Sequence, residues 1–224
     1  MRAIIFVNGE LTEPQVVREL LQPDDYLIAV NGGTRHALSI GVVPHVIIGD
    51  LDSLAPADRV RATAAGARLL SFSPNKDETD LELALRHAIA QGAAEIVIVA
   101  ALGGRLDQTC ANLFLLTLPE LKGRRVSIRE GRQTAFLICD KAEIKGKPGD
   151  LVSILPIAGD AVGVSNEGFE WPLHDETLPL GTTRGISNVL LSEQASIRVR
   201  AGMLLCVVTR AAIRTELILM IEKV

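Results

Sequence analysis

The sequence is poor in aromatic residues and carries no large excess of charge. Its 224 residues include one tryptophan, one tyrosine and five phenylalanines, and the formal net charge at pH 7 is −4. A surface that binds nucleic acid needs clustered basic residues, and this composition offers no excess of positive charge. Nucleic acid is therefore not expected among the partners of the chain.

Cysteines are also few, and long apolar runs are missing. The three cysteines, Cys110, Cys139 and Cys206, lie far apart in apolar sequence, which favours buried, reduced thiols over a disulfide or a zinc site. The start, MRAIIFVNGE, holds an apolar run too short for a signal peptide, and no stretch approaches the ~18 apolar residues of a membrane helix. We expect a cytoplasmic protein that does not associate with membranes.

Up to about residue 130, short β-branched runs alternate with helical patterns. AIIFV is followed by PQVVRELL, HVIIG by ADRVRATAAG, and EIVIVAAL by QTCANLFLLTL. Strict alternation of strand and helix implies parallel strands joined by helical crossovers. The sequence therefore predicts an α/β domain over residues 1–131, with a doubly wound and mostly parallel sheet.

The second part of the chain has a different pattern. TAFLICD, GDLVSILPI, DAVGVSNEGFEW and ASIRVRAGMLLCVVT are short strand-like runs separated by Gly, Pro, Asn and Asp. Ile197 and Val199 alternate with arginines, which is typical of a strand with one solvent-exposed face. We predict an antiparallel β-sandwich over residues 132–224, whose last segment, AAIRTELILMIEKV, fits either a helix or a strand.

Acidic residues follow several strands of the first domain. If the strands are parallel, their carboxyl ends share one edge of the sheet, where ligands bind in such folds. The residues expected to crowd there are Asp50, Asp52, Asp77, Asp80 and Asp107, with Lys76 and Arg105 close by. Hard oxygen ligands beside cations are typical of a site for Mg²⁺ and polyphosphate.

Glycines at the same edge would let backbone amides approach phosphate or nucleotide. Asn31, Gly32 and Gly33 follow YLIAV, and Gly103 and Gly104 follow EIVIVAAL. Neither GxxxxGK[ST] nor GxGxxG occurs in the sequence. A phosphate site would therefore depend mainly on metal and side chains.

Each of these features also has a purely structural explanation. Thr79 and Glu82 fit a capping box, in which Asp80 would only favour the positive end of a helix. Asp107 fits an N-cap, and the Asn-Gly-Gly stretch fits an ordinary turn. Trp171 fits a core position. The pair Asp50 and Asp52 matches no standard turn requirement, which favours a ligand role.

Five motifs together resemble a known family. IIGDLDS, KDETDLELAL, GGRLDQTCANL, NEGFEWPL and TRGISN stand in the order and approximate spacing found in thiamine pyrophosphokinases. The resemblance implies a homodimeric enzyme with an N-terminal α/β domain and a C-terminal β-sandwich. It further implies transfer of a pyrophosphoryl group from ATP to the hydroxyl of thiamine, with release of AMP.

The resemblance also implies roles for individual residues. Three aspartates resemble Mg²⁺ ligands: Asp50, Asp52 and Asp80. Asp107 resembles an active-site carboxylate that could take the proton of the acceptor hydroxyl, and Asp77 is a second candidate for this role. Lys76 would be a cation beside the phosphates. The residues implied to lie beside the nucleotide are Asn31, Gly32, Gly33, Thr34, Gly104 and Arg105. Trp171 would stack on thiamine at the subunit interface, in a pocket with Arg184, Ser187 and Asn188.

The chain departs from the family pattern at two places. Asn31-Gly32-Gly33-Thr34-Arg35 stands where the family has Asp-Gly-Gly-Ala-Asn, so a carboxylate is lost and a cation gained beside the nucleotide. Val189 follows Asn188 where the family commonly has Glu. Two alternative functions stay open: transfer to another acceptor or nucleotide hydrolysis, and binding of thiamine or nucleotide without turnover.

Overall fold

The computed structural model of the chain describes residues 1–211. The predicted helix or strand over residues 211–224 lies outside the described residues, except for Ala211. The chain divides into two compact units, residues 1–137 and 138–224. The domain limits expected from the sequence, 1–131 and 132–224, stay a prediction.

The first unit is built on a sheet of seven strands. They are β1 (Arg2–Phe6), β2 (Tyr26–Val30), β3 (Val46–Gly49), β4 (Arg68–Ser71), β5 (Glu95–Val99), β6 (Arg125–Glu130) and β7 (Gln133–Ile138). Their order across the sheet is β7-β6-β5-β1-β2-β3-β4. Neighbours from β6 to β4 are parallel, and β7 pairs antiparallel with β6.

Helices connect these strands. They are α1 (Pro14–Leu20), α2 (Thr34–Ser39), α3 (Pro56–Ala64), α4 (Asp80–Ala90) and α5 (Leu106–Phe114), with short 3-10 turns at Asn31–Gly33, Leu115–Thr117 and Pro119–Leu121. Helix α4 buries Leu81, Ala84, Leu85 and Ala88, whose spacing is that of one helix face. The sequence pattern predicts a buried stripe of these four residues and Ile89; the four are buried and Ile89 is half-buried.

The strand order reverses between β1 and β5, because the chain builds β2, β3 and β4 on one side of β1 and returns to place β5 on the other. In open α/β sheets, ligands bind beyond the carboxyl ends of the strands at such a reversal. The loops after β1 and β5 are joined there by backbone hydrogen bonds, from Gly9 N to Ala100 O (2.8 Å) and from Glu10 N to Leu102 O (2.8 Å). The fold therefore places two hydrogen-bonded loops at the centre of this edge.

The second unit consists of short antiparallel strands. They are β8 (Lys141–Lys145), β9 (Leu151–Pro156), β10 (Ala161–Glu167), β11 (Glu176–Leu178), β12 (Asn188–Val189), β13 (Gln194–Arg198) and β14 (Leu204–Thr209). One group has the order β12-β9-β14 and the other β11-β10-β13-β8. Ala195 and Ile197 of β13 are buried and alternate with exposed residues, as expected for a sheet with one wet face.

The predicted fold class, a doubly wound α/β sheet followed by antiparallel β-structure, is confirmed. Strands β8, β11 and β12 had no counterpart in the sequence prediction, since each is short and lacks a strong apolar pattern.

The expectation of three buried thiols is wrong: all three are free, but Cys110 and Cys139 are exposed and only Cys206 is buried, where burial raises the pKa of its thiol to about 12. No helix within residues 1–211 is long and apolar enough to cross a membrane.

Candidate active site

Two carboxylates meet at the edge of the parallel sheet. Asp50 directly follows β3, and Asp80 is the first residue of α4. The side-chain amide of Asn31 donates one N–H to Asp50 Oδ1 at 2.9 Å and the other to Asp80 Oδ2 at 2.5 Å. Both N–H groups of a single amide are thus used to hold two like charges side by side.

The backbone conformation around Asn31 positions its side-chain amide. Asn31 follows β2, is 6% exposed and has φ of 45°, a left-handed conformation that Asn tolerates better than most residues. Its Oδ1 accepts the N–H of Leu51 at 2.9 Å. A Cβ on Gly49 would lie 2.1 Å from Asn31 Oδ1, so β3 must end in glycine for the amide to fit.

Asp80 is also held from its own loop. Lys76 Nζ lies 2.9 Å from Asp80 Oδ1 and 3.3 Å from the carbonyl oxygen of Ser73. Thr79 caps α4, since its hydroxyl accepts the N–H of Glu82 at 3.3 Å. The Thr79 half of the predicted capping box is confirmed, whereas the Glu82 carboxylate pairs with Arg86. Asp80 combines a place in the first turn with a side chain directed at Asn31 and Lys76.

Asp50 is kept ionised by its surroundings. The backbone N–H of Asp52, which donates to Asp50 Oδ1 at 3.2 Å, the amide of Asn31 and the charge of Lys76 hold the pKa of Asp50 below its ordinary value. Because a metal binds the deprotonated carboxylate, these contacts extend to lower pH the range in which Asp50 can bind a cation.

The expected crowding of five aspartates does not occur. Asp52 and Asp77 have exposed side chains, and within residues 1–211 no three Asp, Glu, His or Cys side chains are grouped as a metal ion would require. The parallel topology does bring the strand ends to one edge, but the loops that follow carry some of the carboxylates outward. Asp50 and Asp80 are the pair that converges.

This pair fits Mg²⁺. The ion usually takes one or two protein carboxylates and completes its octahedron with water and substrate phosphate oxygens. Asp50 and Asp80 each offer an oxygen that accepts from the Asn31 amide. Lys76 forms an ion pair with Asp80, so a positive charge already lies beside these carboxylates. Asp50 and Asp80 would hold the ion, which would supply charge neutralisation for the phosphates.

Asp107 has a different neighbour. It lies in the first turn of α5, which begins at Leu106, so Asp107 is not the N-cap that was one explanation of its position. Arg105 donates to both of its carboxylate oxygens, at 3.1 and 2.5 Å, and this pairing lowers the pKa of Asp107. Both side chains are largely exposed, at 73% for Arg105 and 64% for Asp107.

The Asn-Gly-Gly stretch is buried. A Cβ on Gly33 would lie 2.2 Å from Phe6 O, so this glycine allows the start of α2 to pack on β1. Thr34 is fully buried and donates its hydroxyl proton to Asn31 O. Gly104 has φ of 69° and open space around it, and the exposed Arg35 donates to Gly9 O at 3.4 Å. A nucleotide role for this stretch stays a prediction.

The sequence prediction missed Asn8 and Gly9, which follow β1 at the reversal of strand order. A Cβ on Gly9 would lie 2.3 Å from Leu102 O, and one on Gly32 would lie 2.3 Å from Asn8 Oδ1. These glycines let three loops meet closely. The signal was present as an Asn-Gly pair directly after the first strand, which is a common turn dipeptide.

The second unit contains a cavity of about 470 Å³ lined by Trp171 and Asn188 together with Ile154, Pro172, Leu173, Thr183, Arg184, Gly185 and Ile186. Trp171 is 55% exposed, so it is not a core residue. Arg184 forms an ion pair with Glu176, which reduces the positive charge at the cavity. Ser187 has φ of 60° and donates its N–H to Ser153 Oγ at 2.9 Å, while Val189 pairs with Leu151 between β12 and β9.

Comparison with known proteins points to one family. The model described as "Thiamin pyrophosphokinase, catalytic domain" matches residues 17–128, and "Thiamin pyrophosphokinase, vitamin B1 binding domain" matches residues 141–204. Thiamine pyrophosphokinase of Bacillus subtilis is 30% identical over 186 residues, which cover 80% of this chain and 85% of the relative.

Solved structures agree. The structure of thiamin pyrophosphokinase from Geobacillus thermodenitrificans has a TM-score of 0.83 and 25% identity, covering 95% of this chain and 99% of its own. Yeast thiamin pyrophosphokinase shares the fold with a TM-score of 0.77 at 15% identity, covering 93% and 86%. With both family models and a relative of this identity matching, the chain belongs to the thiamine pyrophosphokinase family.

Proposed function

We propose that the chain transfers a pyrophosphoryl group from ATP to the hydroxyl of thiamine, with Mg²⁺ held by Asp50 and Asp80 and supplemented by Asp52. The observation that carries this assignment is the single amide of Asn31 that holds both Asp50 and Asp80. The family membership names the substrates, and this pair provides a place for the metal that polyphosphate transfer requires.

The proposed transfer forms one bond and breaks another. The hydroxyl oxygen of thiamine bonds to the β-phosphorus of ATP, and the bond from that phosphorus to the bridging oxygen of the α-phosphate breaks. AMP leaves with the electron pair, and the hydroxyl proton passes to a base. Charge that develops on the phosphate oxygens is stabilised by Lys76 and Arg105 as cationic side chains.

Asp107 is the proposed base, with Asp77 as second candidate. In the free protein Asp107 is paired with Arg105, and this pairing lowers its pKa, which makes it a weaker base. Phosphate oxygens of the nucleotide compete for the guanidinium of Arg105. Binding of ATP would therefore release Asp107 to accept the proton of the hydroxyl.

The cavity of the second unit is the proposed thiamine site. An exposed indole face suits the cationic thiazolium or the flat pyrimidine of thiamine, and the ion pair of Arg184 with Glu176 limits repulsion of a cation. Asn31, Gly32, Gly33, Thr34 and Gly104 are proposed to shape the nucleotide site, and Ser187 the edge of the thiamine cavity.

We further propose a cytoplasmic homodimer in which the carboxylates of one subunit serve the thiamine cavity of the other. Helix α5 supports an interface, because Leu106, Cys110 and Phe114 recur at four-residue spacing and are all exposed. Leu106 is 77% and Phe114 58% exposed, and apolar faces of this kind mark interaction surfaces. A monomer would then be inactive.

The test is release of AMP by the purified protein with ATP and Mg²⁺, in the presence and absence of thiamine. Thiamine-dependent AMP together with thiamine diphosphate is the expected result. Release of AMP or ADP that is indifferent to thiamine would support another acceptor or hydrolysis. Binding of thiamine without release would support a sensor.

A further inference from the structure

Trp171 combines an exposed ring with a firmly held backbone. Its residue exposure is 55%, whereas its neighbours Phe169 and Leu173 are only 5% and 7% exposed. The two buried side chains anchor the ends of a short segment whose central residue, Trp171, lines the cavity. Because more than half of this residue is exposed, packing restricts the ring only in part, and the backbone sets the direction of the Cα–Cβ bond that carries it.

Asn188 binds both polar groups of the Trp171 backbone. Its Nδ2 donates to Trp171 O at 2.7 Å, and its Oδ1 accepts the N–H of Trp171 at 3.0 Å. The same Oδ1 accepts the N–H of Val189 at 2.9 Å, which orients the amide on β12. A single side chain thus provides the contacts that a neighbouring strand would give.

Asn166 reaches the same segment from β10. It is 5% exposed, its Nδ2 donates to Trp171 O at 3.3 Å, and its Oδ1 accepts the N–H of Leu173 at 2.7 Å. Its own backbone N–H donates to Leu173 O at 3.1 Å. The carbonyl oxygen of Trp171 is therefore shared by two amides, one buried and one partly exposed.

We propose that Asn166 and Asn188 form an amide clamp, which fixes the backbone of Trp171 and so presents its ring to the cavity before any ligand arrives. The proposal rests on the function proposed above, in which this cavity binds thiamine. Both residues are positioning residues, since they act through Trp171.

The physical benefit is preorganisation. The direction of an aromatic side chain follows from the Cα–Cβ bond, so a fixed backbone leaves the ring only its two side-chain torsions. Ordering a loop when a ligand binds weakens affinity, and a loop that is already ordered avoids this loss. Glu170 N–H donates to Val189 O at 3.0 Å and holds the segment just before Trp171, and the clamp extends this order to Trp171 itself. Without the clamp, the backbone of Trp171 would lose these side-chain hydrogen bonds and the indole would sample more directions.

Two variants separate positioning from direct contact with ligand. Asn188 lines the cavity and could touch a ligand, but Asn166 is buried and is not among the lining residues. Asn188→Ala removes its three hydrogen bonds. Asn166→Asp keeps the acceptor for Leu173 N–H and replaces the donor to Trp171 O with an oxygen. Gln194→Ala, at an exposed amide on β13, is the matched control.

The readout uses the fact that Trp171 is the only tryptophan in the chain. Fluorescence anisotropy of the free protein reports the mobility of this ring, and quenching during a thiamine titration gives Kd. Both are measured on full-length protein whose circular dichroism matches the wild type, together with KM for thiamine, KM for ATP and kcat.

We expect lower anisotropy in Asn188→Ala and Asn166→Asp, with Kd and KM for thiamine raised about tenfold and KM for ATP unchanged. Gln194→Ala should match the wild type in every reading. If the buried Asn166→Asp variant does not fold, the anisotropy of Asn188→Ala decides the matter.

Wild-type anisotropy in folded Asn188→Ala would overturn the clamp. A raised Kd in that variant with unchanged anisotropy would instead make Asn188 a direct ligand, which also overturns it. If the wild-type protein does not bind thiamine but both variants lose anisotropy, the proposed function fails while the clamp stands.

Discussion

The sheet edge of the α/β unit and the cavity of the β unit both depend on asparagine, but for different tasks. Asn31 joins two side chains that repel each other, whereas Asn166 and Asn188 hold the backbone of one residue. The edge is charged and partly buried, and the cavity wall is aromatic and exposed. An amide suits both because it offers donors and an acceptor without adding charge.

Removal of a carboxylate from the sheet edge should abolish most of the activity. Asp80→Asn should lower thiamine-dependent AMP release by roughly 10²-fold or more, because the metal loses a charged ligand where transition-state charge develops. Thermal stability and the thiamine Kd should stay near the wild type. Steady-state kinetics and fluorescence titration measure both.

Glu78→Gln is the control for Asp80→Asn, since it removes one negative charge from the same acidic stretch. Its turnover should match the wild type. Equal losses in the two variants would mean that net charge, and not the position of Asp80, governs activity.

Removal of the exposed ring tests the cavity. Trp171→Ala should raise KM for thiamine about 10- to 100-fold through loss of stacking and cation–π contact, with little change in KM for ATP. Trp171→Phe should show a smaller effect. Leu180→Ala, at an equally exposed apolar side chain of the same unit, should leave both constants unchanged.

Asn31→Asp tests the role of the amide at the sheet edge. It replaces two donated N–H groups with a third carboxylate, and we expect a loss of roughly 1–3 kcal/mol of stability in the absence of divalent cations. Mg²⁺ should restore more stability to this variant than to the wild type, because the ion offsets the added charge. Thermal unfolding with and without Mg²⁺ measures the difference. An equal Mg²⁺ response in both proteins would contradict the shared site.

The stability of the α/β unit should depend weakly on pH. Burial lowers the pKa of His36 and His87 in the α/β unit, so the unfolded chain binds more protons there than the folded one. Their stability contribution is complete above the ordinary histidine pKa of 6.5 and is lost as pH falls below it. His87→Gln should therefore weaken the fall of Tm between pH 7.5 and 5.5, which thermal unfolding at each pH measures. A fall as steep as that of the wild type would contradict this assignment.

Much of the fold follows from local patterns. Alternating strands and helices predict the parallel sheet, and the Thr79 cap with its apolar stripe predicts α4, because both depend on contacts close in sequence. Local patterns do not predict strands β8, β11 and β12, because pairing with strands distant in sequence stabilises them more than their composition does.

The site was predictable in part. The order of strands places Asp50 and Asp80 at one edge, but the sequence does not say that Asn31 would join them or that Asp107 would pair with Arg105. Those contacts depend on side-chain direction in loops whose backbone has positive φ, as at Asn31 and Leu51. Asn166 was missed because a buried amide inside a strand pattern gives no signal of the loop it holds.

The first measurement to make is the Mg²⁺ dependence of thiamine-dependent AMP release in the wild type and in Asp80→Asn. It tests whether Asp50 and Asp80, which both accept hydrogen bonds from the Asn31 amide, hold Mg²⁺. We predict saturable activation of the wild type by Mg²⁺, and in the variant a much weaker Mg²⁺ dependence with little turnover at any concentration. The same activation curve and the same turnover in both proteins would contradict the claim.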